Sequence, residues 1–165
     1  AAWGMAVGRD HGPTMLVLSR QKLPVLSDNE LAAEGVLKGA YILARETKES
    51  PDIVLIASGS EVHLVLAARK ELRDRGVDAR VVSMPCWELF EAQSQTYRDA
   101  VFPPDDTPRL AVEAGASFGW SRWVGDVENV IGVDRFGSSA PGKENFQHYG
   151  LTVDAIVHAS MTRVG

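Results

Sequence analysis

Five consecutive apolar residues, Ile53-Val54-Leu55-Ile56-Ala57, constrain this chain more than any other feature. A short unbroken apolar run has no polar face to offer water, so it reads as a strand of a parallel sheet covered on both sides. Pro51-Asp52 opens the run and Ser58-Gly59-Ser60-Glu61 closes it. Helical periodicity follows from about Val62 to Arg75. Val62, Val65, Leu66 and Leu72 fall on one side, and Arg69, Arg73 and Asp74 on the other. Gly76 supplies the helix stop. Ala79 to Met84 is a second strand, ended by Pro85. The three elements form a βαβ unit, for which a right-handed crossover is expected.

The alternation continues downstream. Trp87 to Val101 carries one or two helices, and Pro103, Pro104 and Pro108 form a turn. Arg109 to Glu113 is a third strand. A loop from Gly115 to Gly125 holds a short helix around Trp120 and Trp123. Val127 to Val133 is a fourth strand. Helices near 142–149 and 152–163 close the chain, the second capped by Thr152 with Val153, Ile156 and Val157 on its inner face. Residues 36–45 could be strand or helix, and Gly39 with Tyr41-Ile42-Leu43 favours a further strand. The expected fold is α/β, three layers built on a mostly parallel five-stranded sheet.

Ahead of the sheet, residues 1–10 look like the end of a helix. Gly12 to Pro24 reads as a buried strand whose apolar run, Met15 to Leu18, ends abruptly in Ser19-Arg20-Gln21. Such a strand needs partners. Either it joins the sheet that follows, or it is the last strand of a domain whose earlier part precedes Ala1. Residues 25–35, polar and acidic, read as a connector.

The bulk numbers set limits on function. A chain of 165 residues, 45% hydrophobic, suits one ordinary domain with an appendage. A formal net charge of −5 and no basic stripe count against nucleic acid as a partner. No apolar run is long enough for a transmembrane helix, and the N-terminus lacks the pattern of a secretory signal. The single cysteine, Cys86, rules out an intrachain disulfide and favours a reducing, cytoplasmic setting.

Arg20 is the leading site candidate, because a guanidinium at a strand tip can grip a phosphate or carboxylate through paired hydrogen bonds. The Ser58–Glu61 turn has two readings. Its helix-terminal amides could hold a phosphate, or Ser58 and Glu61 could satisfy them as an S-x-x-E capping box, and the cap is preferred. Glu113 ends an apolar strand at the carboxyl edge of the sheet and could orient a loop or a partner surface. His11, His63, His148 and His158 show no metal-ligand spacing and read as surface or packing residues. Cys86 reads as a semi-buried structural thiol, and Glu88 and Glu91 as a solvated helix face. Trp120 and Trp123 are either core or the anchor of an interface.

Several collinear blocks carry a family resemblance. They are Gly12-Pro13-Thr14, Leu18-Ser19-Arg20-Gln21, Lys38-Gly39-Ala40-Tyr41, Pro51 to Val62, Val81 to Phe90, Val112 to Gly115, Phe118-Gly119-Trp120, Phe136 to Pro141 and Tyr149 to Val153. Together they resemble the transketolases. The resemblance implies a C-terminal domain at residues 36–165, preceded by a remnant of the pyrimidine-binding domain at 1–24. It implies transfer of a two-carbon ketol unit between sugar phosphates, with thiamine diphosphate and Mg or Ca in the full-length enzyme, and a homodimeric parent. Arg20 falls on the arginine that binds the substrate's phosphate. The family's Gly-Asp-Gly metal segment, activating glutamate and proton-handling histidines lie upstream of Ala1. The chain alone is therefore expected to bind no cofactor and to be inactive, with a structural, dimer-supporting role. Two alternatives stand beside this: the C-terminal domain of another thiamine-dependent enzyme, and a non-catalytic module binding an effector at the Ser58–Glu61 turn.

Overall fold

The structure is a computed structural model. It describes residues 1–26, 30–103 and 106–165, and for residues 30–32 the backbone alone. Residues 27–29 of the expected connector and Pro104 of the expected turn lie outside the described residues.

Strand β2 (Ile53–Ala57) is buried at every position, as an apolar run without alternation requires. It lies in the middle of a five-stranded sheet of order β1-β3-β2-β4-β5. The other strands are β1 (Tyr41–Ala44), β3 (Ala79–Ser83), β4 (Arg109–Val112) and β5 (Val130–Ile131). β2 pairs in parallel with β3 and β4, and β4 in parallel with β5. Only β1 runs antiparallel, on the edge beside β3. The mostly parallel three-layer sheet is as expected.

Side chains alternating along β2 feed two cores. Ile53, Leu55 and Ala57 face α3 (Val62–Asp74) and α8 (Val153–Val164), through Val65, Leu72, Ile156 and Val157. Thr152 caps α8, its hydroxyl accepting the Ala155 amide at 3.2 Å. Val54 and Ile56 face the opposite layer, built from α4 (Trp87–Glu91), α5 (Gln95–Val101) and α6 (Ser121–Val124). That core is aromatic. Phe90 sits edge-on to Phe102 at 5.3 Å and tilted to Trp123 at 5.4 Å, and Trp87 meets Trp120 at 5.0 Å. Full burial of a side chain such as Phe90 stabilises by roughly 1.5–3 kcal/mol. Gly39, at φ +83°, lets the entry to β1 lie against α4. A side-chain carbon there would fall 2.3 Å from the Cys86 carbonyl.

Three expectations need correction. Residues 36 and 37 end helix α2 (Glu30–Leu37), which also takes up part of the expected connector, so only Tyr41–Ala44 is strand. β5 keeps two residues of the expected 127–133, because Val127–Asn129 winds into a 3-10 turn. The buried strand expected at Gly12–Pro24 is not formed. After the short helix α1 (Ala2–Gly8) the chain runs as an irregular arm, and no residue from 1 to 26 is buried. Met15, Val17 and Leu18 are 85%, 84% and 73% exposed. A strand needs a neighbour for its ladder, and among the described residues the arm has none.

Candidate functional site

At the carboxyl edge of the sheet the chain changes direction of travel. From β2 it moves outward to β3, then crosses back to β4 on the other side of β2. The strand ends beside such a switch diverge, and open α/β sheets bind ligands there. Two carboxylates occupy this point. Glu113 follows β4, and Ser58, just beyond β2, donates its hydroxyl to Glu113 Oε2 at 2.9 Å. Glu61 sits in the turn after β2, near enough to the Ala114 amide beyond β4 for that amide to help hold its carboxyl down. The Ser60 hydroxyl also donates to Glu61. The Ser58–Glu113 bond ties the two loops across the crevice.

Neither carboxylate forms a salt bridge among the described residues. Glu61 is only 3% exposed. Burial pushes its carboxyl above the ordinary range, and the nearby Glu113 adds to that push against the hydrogen bonds from Ser60 and Ala114. Burial raises Glu113 as well, opposed by the bond from Ser58. The S-x-x-E capping box is therefore not formed. Ser58 makes no side-chain bond to the helix amides, since its hydroxyl is committed to Glu113.

The arm passes over this same edge. A carbon added to Gly59 would lie 3.8 Å from Ser19 Oγ, which places Ser19 across the β2 turn. The next residue, Arg20, is exposed and makes no hydrogen bond or salt bridge to a described residue. Arg20 and Gln21 line a cavity of about 530 Å³ together with Ser138, Ser139 and Asn145, from the segment that follows β5 and enters α7 (Gly142–His148).

The other candidates fall outside this edge or into the core. Among the described residues no group of three or more His, Cys, Asp or Glu could hold a metal ion. His11 and His158 are exposed, and His148 packs edge-on to Tyr149 at 4.9 Å. Cys86 has its thiol pushed up by burial and donates to Glu88 at 3.3 Å, so it is no ready nucleophile. Glu91 pairs with Arg122 on the surface. Trp120 and Trp123 are core, 2% and 9% exposed.

The sequence reading missed a charge cluster at the opposite edge. Arg80, inside β3, donates to both Glu46 oxygens at 2.7 and 2.5 Å, and to the carbonyls of Ala100 and Val101 at 3.0 and 2.9 Å. Asp78 accepts the Thr47 and Lys48 amides at 2.6 and 2.7 Å and the Thr47 hydroxyl at 2.8 Å. Asp52 accepts the Asp78 amide at 2.7 Å. A charged residue within an otherwise apolar strand, Arg80 in Ala79–Ser83, was the available signal.

A family model described as the transketolase-like TK C-terminal domain matches residues 39–152. The transketolase of Geobacillus stearothermophilus is 46% identical over 166 residues, covering 100% of this chain and 25% of that protein. The transketolase of Halalkalibacterium halodurans is 49% identical over 158 residues, covering 95% of this chain and 24% of its own length. Among solved structures, the transketolase from Leishmania mexicana has a TM-score of 0.88 at 40% identity, over 99% of this chain and 23% of that one. A Pichia stipitis transketolase in complex with sedoheptulose-7-phosphate gives 0.88 at 35% identity, over the same shares. The chain thus spans about a quarter of the length of the curated relatives it matches. Sheet, both helical layers and arm all fall within these matches, and the chain belongs to the transketolase family, matching its C-terminal part.

Proposed function

We propose that this chain serves as the C-terminal part of a transketolase in which Arg20 binds the phosphate of a sugar-phosphate substrate. The observation that carries this reading is an unpaired guanidinium on an arm that crosses the carboxyl edge of the sheet. A planar fork of N–H donors suits a phosphate monoester. The bare apolar residues Met15, Val17 and Leu18 support assigning residues 1–24 to a pyrimidine-binding domain built mostly from upstream sequence. Residues 25–35 then connect it to a C-terminal domain at 36–165.

The full-length enzyme transfers a two-carbon ketol unit from a ketose phosphate to an aldose phosphate, as a cytoplasmic homodimer. Thiamine diphosphate with Mg or Ca supplies the carbanion chemistry when bound. In this reading, cofactor and cation are held by other parts of the enzyme. This chain contributes orientation of the substrate's phosphate and structural support, and alone it turns nothing over. An effector site for an anion at the Ser58–Glu61 turn is disfavoured, because two carboxylates stand where the anion would sit.

The test is Arg20→Ala in the full-length enzyme. Charge-assisted hydrogen bonds contribute about 1.5–3 kcal/mol, so KM for sugar phosphates rises about tenfold or more. Affinity for thiamine diphosphate stays the same, and kcat changes little, because the phosphate is held alike in ground and transition states. An unchanged KM, or a parallel loss of cofactor affinity, contradicts the assignment.

A further inference from the structure

At the side of the sheet opposite β5, a separate cavity of about 320 Å³ lies along edge strand β1. Helix α2 contributes to it from one direction and α5 from another, and Tyr41, Ile42 and Leu43 of β1 line it between them in sequence. Its volume is at the small end of the range for ligand cavities, which begins at about 300 Å³.

The walls are held by bonds of their own. Gly35 lets α2 lie against the Tyr41 ring, because a side-chain carbon there would collide with Tyr41 Cγ. The Tyr97 hydroxyl donates to the Ala40 carbonyl at 2.9 Å. The Ala100 and Val101 carbonyls, at the end of α5, accept from Arg80 at 3.0 and 2.9 Å. A cavity fixed before its ligand arrives binds with less ordering cost than a mobile one.

The lining carries two cations, Lys38 and Arg45, against one carboxylate, Glu34, in a chain whose net charge is −5. Glu34 and Lys38 lie four residues apart on α2, a spacing at which opposite charges offset each other. Lys38 Nζ also stands 4.6 Å from the centre of the Tyr97 ring. Arg45 follows the other end of β1 and is exposed. Its partner among the described salt bridges, Glu46 at 4.0 Å, is already gripped by two nitrogens of Arg80. The Arg45 fork of donors therefore remains open to another planar anion. Two tyrosine rings with Ile42, Leu43 and Val101 offer a flat apolar body its contacts.

We propose that this cavity binds a small aromatic carboxylate, with the ring against Tyr41 and Tyr97, the carboxylate on Arg45, and Lys38 adding charge. An acidic peptide laid along β1 is the rival occupant, but a cavity this small suits one ring better than a strand. The site is independent of Arg20 and of the sugar-phosphate reading.

The experiment titrates benzoate into the full-length enzyme and follows binding by ligand-observed NMR, with Tm recorded for every variant. Wild-type enzyme binds with a Kd of about 1 mM or tighter. Cyclohexanecarboxylate keeps the charge without the flat ring, and benzamide keeps the ring without the charge. Each binds about threefold or more weakly than benzoate. Arg45→Gln weakens benzoate about tenfold and Lys38→Gln about threefold, at unchanged Tm. Arg20→Ala leaves benzoate affinity as it is. No saturable binding up to about 10 mM overturns the proposal. So does benzoate affinity that survives both Arg45→Gln and Lys38→Gln, or that is lost in Arg20→Ala, since the ligand would then sit elsewhere. Equal binding of cyclohexanecarboxylate removes the aromatic class, and binding of an acidic peptide in place of benzoate hands the edge to the rival.

Discussion

The two ends of the sheet bury charge in opposite ways. At the amino edge three carboxylates have donors matched to their charged form: Glu46 has Arg80, Asp78 has Thr47 and Lys48, and Asp52 has Lys48 and the Asp78 amide. At the carboxyl edge Glu61 and Glu113 face one another with only hydroxyls and one amide between them. Arg80 at the amino edge is consumed by structure, whereas Arg20 at the carboxyl edge makes no hydrogen bond or salt bridge to a described residue. A closed, compensated edge can only hold the fold together. An edge with uncompensated groups and a spare cation can still respond to protons and ligands, and it is the edge where α/β sheets host chemistry.

The largest expected effect breaks the amino edge. Side chains of Arg80 and Glu46 are 7% and 5% exposed, and removing one partner of a buried pair typically costs about 3–5 kcal/mol. Arg80→Met therefore lowers unfolding stability by that amount in denaturant titration, and adding Glu46→Leu recovers most of it. A loss well under 1 kcal/mol for Arg80→Met would show that the pair is idle. Next comes Asp78→Ala, which strands the Thr47 and Lys48 amides and costs about 2 kcal/mol by the same measurement.

The pH response of stability sharpens the contrast. Glu46 is held low chiefly by its hydrogen bonds from Arg80, and Asp52 chiefly by the Asp78 amide. In Asp78 burial pushes upward but is outweighed by the Lys48 and Thr47 donors. The stability these three contribute is complete above the unfolded-state value and is lost as pH falls through their lowered folded values. Glu61 and Glu113 are raised by burial, so their contribution is complete below the unfolded-state value and is lost as pH climbs through their raised folded values. The combined contribution of these five groups is therefore greatest near the unfolded-state carboxylate range, about pH 4–5, where both sets contribute. Glu61→Gln raises Tm at about pH 8, by less than Asp78→Ala lowers it, and the gain vanishes toward about pH 4. A Glu61→Gln enzyme less stable at every pH would mean that the carboxylate is ionised and compensated after all. The smallest effect is that of Arg20→Ala on folding, within about 0.5 kcal/mol, as for exposed residues without partners.

Much of this was legible locally. β2, α3, β3 and α8 follow from an apolar run, a helical period, a glycine stop and a threonine cap, each a signal within a few residues of the element it makes. Glu113 was marked by its place at the end of an apolar strand. What escaped the sequence was paired at long range. Glu46 and Arg80 are 34 residues apart, and Ser58 and Glu113 are 55 apart. The Ser58–Glu61 spacing fitted a cap perfectly well, and only the closeness of β2 and β4 redirected the serine. The arm erred in the other direction. Its apolar run had the local pattern of a buried strand, but a strand is completed by neighbours, and among the described residues none pairs with it.

The most direct measurement is the KM for an aldose phosphate in the full-length enzyme carrying Arg20→Ala, with Tm recorded on the same sample. A KM raised about tenfold or more at unchanged Tm is the predicted result, with Arg80→Met as its counterpart, lowering Tm without a selective effect on phosphorylated acceptors. An Arg20→Ala enzyme that loses Tm while its KM stays put would contradict the account, because the spare arginine would then be one more structural charge like Arg80.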